Sequence, residues 1–214
     1  MLAEDVAPNR LEKTKQIVSQ IINQLGNDRV GIVGYAGSAY PVLPMTTDYS
    51  IAKMYLQSMN TNMVSSQGTA FNDAIQLAVD FFDVKDTSKL IILISDGEDH
   101  GEGAEDAIEM AKEKGVRILT IGVGTEKGGP IPLRDDKGTI VSYKNDSEGQ
   151  TVTTKLYPEV LKNIADKTKS KYIVGTSTKE VVEELKKSLD KIQYIIFICF
   201  IFINFIIFLF SFTL

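Results

Sequence analysis

The 214-residue chain holds one cysteine, one histidine and no tryptophan. The cysteine, Cys199, lies within an uncharged apolar run. The remainder can therefore form neither a disulfide nor a cysteine-ligated metal centre. His100, being alone, excludes a histidine-rich metal cluster. No basic patch with interleaved aromatics occurs, and the net charge is −5, so nucleic acid is not the expected partner. Gly122-x-Gly124-x-x-x-Gly128 lacks the spacing of a dinucleotide fingerprint, and no helix opens at its last glycine. Asp96-x-Glu98-Asp99 lacks the alternating ligands, central glycine and terminal glutamate of a calcium loop. No internal repeat, low-complexity linker or nucleophile–base pair is evident.

Charge is also absent from residues 192–214, where Ile and Phe dominate and Gln193 and Asn204 are the strongly polar interruptions. As a helix this run would extend roughly 34 Å, enough for a bilayer core of about 30 Å. It predicts a single transmembrane helix following a domain over residues 1–191. Its position rules out a signal peptide. Four lysines and four acidic residues lie between Lys179 and Lys191, so the flanking charge leaves the side of the membrane open.

What is present centres on Lys89–Asp99. The unbroken aliphatic run Leu90–Ile94 reads as a strand buried on both faces, as in the middle of a parallel sheet. Asp96 follows its carboxyl end, where open α/β sheets place ligands. Ser95, Asp96 and Gly97 are equally suited to plain turn and helix-entry duty. Around this strand, apolar spacing predicts helices over Arg10–Leu25, Asp48–Met59, Thr69–Phe82, Ala104–Lys114, Leu156–Lys167 and Lys179–Lys191. Strands are expected at Arg29–Tyr35, Ala39–Leu43, Val116–Val123 and Lys171–Val174. Pro41 marks the second of these as an edge strand. The polar stretch of about residues 125–155 reads as a β-hairpin excursion. The acidic cluster Glu98, Asp99, Glu102, Glu105 and Asp106 suits a helix N-terminus.

Taken in order, Met1–Leu11, Gly68-Thr69-Ala70, Ile94-Ser95-Asp96-Gly97-Glu98 and Ile121-Gly122-Val123-Gly124 resemble a von Willebrand factor A (VWA) domain. Within that superfamily they are most similar to the membrane-bound bacterial proteins of aerotolerance (Bat) operons. The Pro130–Leu133 segment and the apolar C-terminal run fit that subgroup. The resemblance implies an α/β fold with a doubly wound, mostly parallel sheet. It also implies a metal-ion-dependent adhesion site holding Mg²⁺, to which Thr69 and Asp96 match as ligands. The family's Asp-x-Ser-x-Ser loop and the strand before it have no match. The chain is thus expected to be an N-terminally incomplete domain, through truncation or a misplaced start. Its sheet is expected to lack its first central strand, between Arg29–Tyr35 and Lys89–Ile94. With Thr69 and Asp96 alone remaining, no ion is expected to be bound.

The function this implies is a membrane-anchored module for protein–protein interaction, not an enzyme. Its partners would be proteins, among them products of the same membrane operon. Residues 192–214 would make it a single-pass protein of the inner membrane. The alternative from another class is a metal-dependent hydrolase using Asp96, Glu98 and Asp99.

Overall fold

A computed structural model describes residues 1–63, 70–83, 87–98, 104–189 and 196–203. The elements in chain order are α1 (Arg10–Ile22), β1 (Arg29–Tyr35), β2 (Ala39–Thr46), α2 (Tyr49–Ser58), α3 (Phe71–Asp80), β3 (Ser88–Ser95), α4 (Glu105–Glu113) and β4 (Val116–Gly122). They continue with β5 (Gly129–Pro130), β6 (Pro132–Arg134), β7 (Ile140–Tyr143), β8 (Thr153–Thr154), α5 (Pro158–Lys167), β9 (Tyr172–Val174), α6 (Thr178–Leu189) and β10 (Ile196–Ile203).

Local chemistry sets several of these boundaries. The Asn9 side chain accepts the Glu12 N–H and opens α1, and Asp48 accepts from Ser50 and Ile51 to open α2. Pro158, with no N–H to lose, stands in the first turn of α5. α1 ends at Ile22, before the Gly26-Asn27 stop that its periodicity suggests. There Gln24 and Leu25 donate to the Ile21 and Ile22 carbonyls, a tighter turn that closes the helix early.

The main sheet has the order β2-β1-β10-β3-β4-β9. All neighbours run parallel except β2, which pairs antiparallel with β1 as an edge strand. Proline at 41 and 44 and two register shifts mark that edge. On one face, Val33, Tyr35, Ile91, Leu93 and Ile118 pack against α3, α4 and α5. On the other, Val30, Ile32, Leu90, Ile92, Leu119 and Ile121 pack against α1, α2 and α6. β3 is buried from Leu90 to Ser95, which is why its sequence runs aliphatic without alternation.

The centre of the sheet departs from expectation. The position between β1 and β3, expected to be empty, is filled by β10 from the apolar run itself. β10 runs parallel to both neighbours, pairing Arg29–Tyr35 with Phe197–Ile203 and Ser88–Ile94 with Ile196–Phe202. Ile198 and Phe200 are fully buried on the α1/α6 side. Over Ile196–Ile203 the expected transmembrane helix is thus replaced by strand; the rest of 192–214 lies outside the described residues. Among the described residues no helix is long and apolar enough to cross a membrane. The physical reason is a shared requirement. A strand buried on both faces and a bilayer helix both need uncharged apolar residues, and Ile and Phe favour strands.

The excursion is two small pieces rather than one hairpin. β5 pairs with β8 and β6 with β7, both antiparallel. Leu133, Ile140, Val141 and Tyr143 are exposed on it.

Candidate functional site

The site lies at the carboxyl edge of the sheet, where β3 turns. Ser95 Oγ accepts the Gly97 N–H at 2.9 Å, and the Asp96 carbonyl accepts the Tyr157 N–H at 2.7 Å. Gly97 has φ +73°, and a Cβ there would sit 2.0 Å from the Tyr157 carbonyl oxygen. The turn thus needs glycine for both its backbone and its closeness to the start of α5.

The Asp96 side chain points inward, with 0% exposure. Its Oδ2 accepts from Arg10 Nη1 at 2.8 Å, while the Glu98 N–H reaches Oδ1 only at 3.4 Å. Arg10 is itself 0% exposed and is the hub of the site. Its Nε and Nη2 make a bidentate pair with Asp5 at 2.8 and 2.9 Å. Nη1 also reaches Thr154 Oγ1 at 3.0 Å, and Nη2 the Thr154 carbonyl at 2.9 Å. These bonds use all five donors of the guanidinium. Gly124 leaves room for it: a Cβ at that residue would lie 2.9 Å from the guanidinium carbon.

Asp5 is held from a second side. Thr125 donates its N–H at 2.7 Å and its hydroxyl at 3.1 Å to Oδ2. Burial pushes the Asp5 carboxyl up, but Arg10 and Thr125 outweigh it and hold it below the usual carboxylate range. Burial would also pull Arg10 down, yet Asp5 and Asp96 together raise it above its ordinary value. The Met1 amino group is buried at the same edge; desolvation brings it from 8.0 to about 6, against the opposing field of Asp96. Tyr35, at the end of β1, packs its ring on Phe71 at 5.7 Å. Its hydroxyl faces Ser95 without forming a well-shaped hydrogen bond, and burial drives the phenol far above its normal range.

Of the residues singled out from sequence, Asp96 is brought to the sheet edge. Thr69 and Asp99 lie outside the described residues, and Glu98 is partly buried beside the turn. Among the described residues no group of three or more His, Cys, Asp or Glu could hold a metal ion. Asp96 has one oxygen committed to Arg10. A hard cation needs around six oxygen ligands, so the described residues do not fit such an ion. Neither do they pair a nucleophile with a base. What they form is a closed, hydrogen-bonded lock joining the N-terminal segment, β3 and the excursion.

Sequence reasoning passed over Arg10, although a signal was there. Arg10 sits seven residues before Ile17 and eleven before Ile21, on the buried face of α1 with Thr14. A charge on an apolar face implies a buried counter-ion.

Comparison with known proteins agrees with this architecture. The family model for the von Willebrand factor type A domain matches residues 3–187. The chain is similar to the crystal structure of a conserved hypothetical protein, BatB, from Bacteroides thetaiotaomicron. That match has 39% identity and a TM-score of 0.80, covering 89% of this chain and 93% of that one. It is also similar to an aerotolerance-related membrane protein from Bacteroides fragilis NCTC 9343, solved with multiple mutations to serines. Here the identity is 34% and the TM-score 0.83, over 90% and 94% of the two chains. A "UPF0353 protein" from Mycolicibacterium paratuberculosis is 28% identical over 205 residues, which is 90% of this chain and 56% of that protein. The chain spans about half the length of the curated relatives it matches. With a family match that spans most of it, the chain belongs to the von Willebrand factor type A domain family, and its structural neighbours include a Bacteroides BatB and an aerotolerance-related membrane protein.

Proposed function

We propose that this chain is the protein-interaction domain of a bacterial membrane protein of the aerotolerance type, and not an enzyme. The observation that carries the reading is the state of Asp96. It stands at the carboxyl edge, where α/β sheets bind ligands, yet its charge is spent on Arg10 rather than on an acid–base partner. An enzyme site needs a convergent pocket with an available acid, base or nucleophile; an interaction face needs a rigid, shaped edge. The exposed apolar residues of β6 and β7 enlarge that face, Val141 being 63% exposed. Thr69 and Asp96 are the positions matched to the family's Mg²⁺ ligands, and with Arg10 in place binding there is weak. Membrane association is supported by the apolar run at 192–214 and by the likeness to the Bacteroides fragilis membrane protein.

Photo-crosslinking in cells tests this. A crosslinking residue at Tyr143 should give discrete adducts with a protein partner, whereas one at Lys169, at the opposite end of the sheet, should not. Equal adduct patterns from both positions, or none from either, would overturn the proposal.

A further inference from the structure

The most unusual feature of the molecule is that its central strand comes from the one segment that also suits a bilayer. We infer that the slot between β1 and β3 is a binding site for an extended, uncharged apolar strand, and that its ligand, Ile196–Ile203, exchanges between the sheet and the membrane. The inference rests on the membrane association proposed above.

Three observations support it. First, the slot is specific for strand geometry. Both of its walls are parallel edges, and β10 satisfies them in one uninterrupted register of seven positions on each side. Second, the slot is specific for apolar residues. Ile198 and Phe200 enter the cluster formed by Ile17, Ile21, Ile92 and Leu185, where a charged side chain would be stranded. Third, the ligand is uncharged across its whole neighbourhood, residues 192–214. A bilayer hosts such a run as a helix whose backbone groups are satisfied internally.

The two placements exclude each other, because Ile196–Ile203 cannot be strand and transmembrane helix at once. In either, Ile198 and Phe200 leave water and the backbone is paired, so the two states lie closer in free energy than either lies to the exposed segment. β10 starts opposite Ser88, at the sheet end remote from Asp96. Its far end lies beside Tyr35 and Ile94, one residue from the turn that carries Asp96. Slot occupancy is thereby coupled to the interaction face.

Hydrogen exchange on the full chain, read by mass spectrometry, tests this in dilute buffer and again with vesicles of phosphatidylethanolamine and phosphatidylglycerol. Flotation on a density gradient reports binding in the same samples. In buffer, Val30–Tyr35 and Leu90–Ser95 should be protected. With vesicles the chain should float, and those two segments should exchange at least about tenfold faster, while the β4–β9 pairing keeps its protection. Flotation with unchanged protection would overturn the exchange and leave the membrane association standing. A chain that does not float would overturn both. Unprotected β1 and β3 in buffer would show that the slot does not hold β10 in water, and would also overturn the inference.

Discussion

Replacing Arg10 by methionine keeps an unbranched apolar stem, shorter than arginine's, and removes every charge-assisted bond the guanidinium makes. Asp5 would retain the N–H and hydroxyl of Thr125. Asp96 would keep the long contact from the Glu98 N–H and the field of the nearby Met1 amino group. Breaking one side of a buried ion pair costs about 3–5 kcal/mol, out of a total stability of about 5–15 kcal/mol for an ordinary domain. At roughly 2–4 °C per kcal/mol for a chain of this size, the midpoint should fall by about 6–20 °C. Thermal and urea unfolding followed by circular dichroism measure this. A second substitution separates the charge from the packing. Adding Asp96→Asn to Arg10→Met should restore part of the loss, because the stranded carboxylate is gone. A loss below about 1 kcal/mol, with no benefit from Asp96→Asn, would refute the idea that this network locks the edge.

Gly97→Ala should cost at least about 2 kcal/mol, because it combines positive φ with a clash on the Tyr157 carbonyl. Gly138→Ala, also at positive φ but with open space around the new methyl, should cost only about 1 kcal/mol, and thermal melts of the two variants check the difference. For acid dependence, the Asp5 carboxyl is depressed in the folded state. Its contribution is fully present above its unfolded value of about 3.8 and is lost as the pH falls through the lower folded value. Asp5→Asn should therefore flatten the acid limb of a plot of denaturation midpoint against pH, and an unchanged limb would show that Asp5 carries none of it.

Much of the fold is legible in the chain because burial on two faces leaves an unmistakable mark. β3 and β4 show as aliphatic runs, β2 betrays its edge through Pro41, and Asp96 follows from β3. Two elements were hidden, for different reasons. Arg10 stands on the apolar face of α1, but its three partners at positions 5, 96 and 154 are remote from one another in sequence, so the pairing itself is not legible there. Residues 196–203 were hidden by degeneracy, since the same Ile- and Phe-rich composition fits lipid and the sheet centre. Choosing between them needs the vacancy beside β1 and β3, which is a property of the fold and not of the segment. Thr125 and Thr154 belong to the excursion, where polar residues are too common to stand out.

Thr154 has a consequence for how this surface can change. The excursion is fastened to the domain through that residue's hydroxyl and carbonyl on Arg10, while β6 and β7 stand outside the buried network with their side chains largely in water. Residues 132–143 can therefore be rewritten, lengthened or exchanged for another hairpin at the cost of the Arg134–Glu4 ion pair, leaving the bonds of Arg10 beneath them unchanged. A lineage, or a designer, could retarget the outer face by editing this tip alone, provided the threonine at its base stays in place.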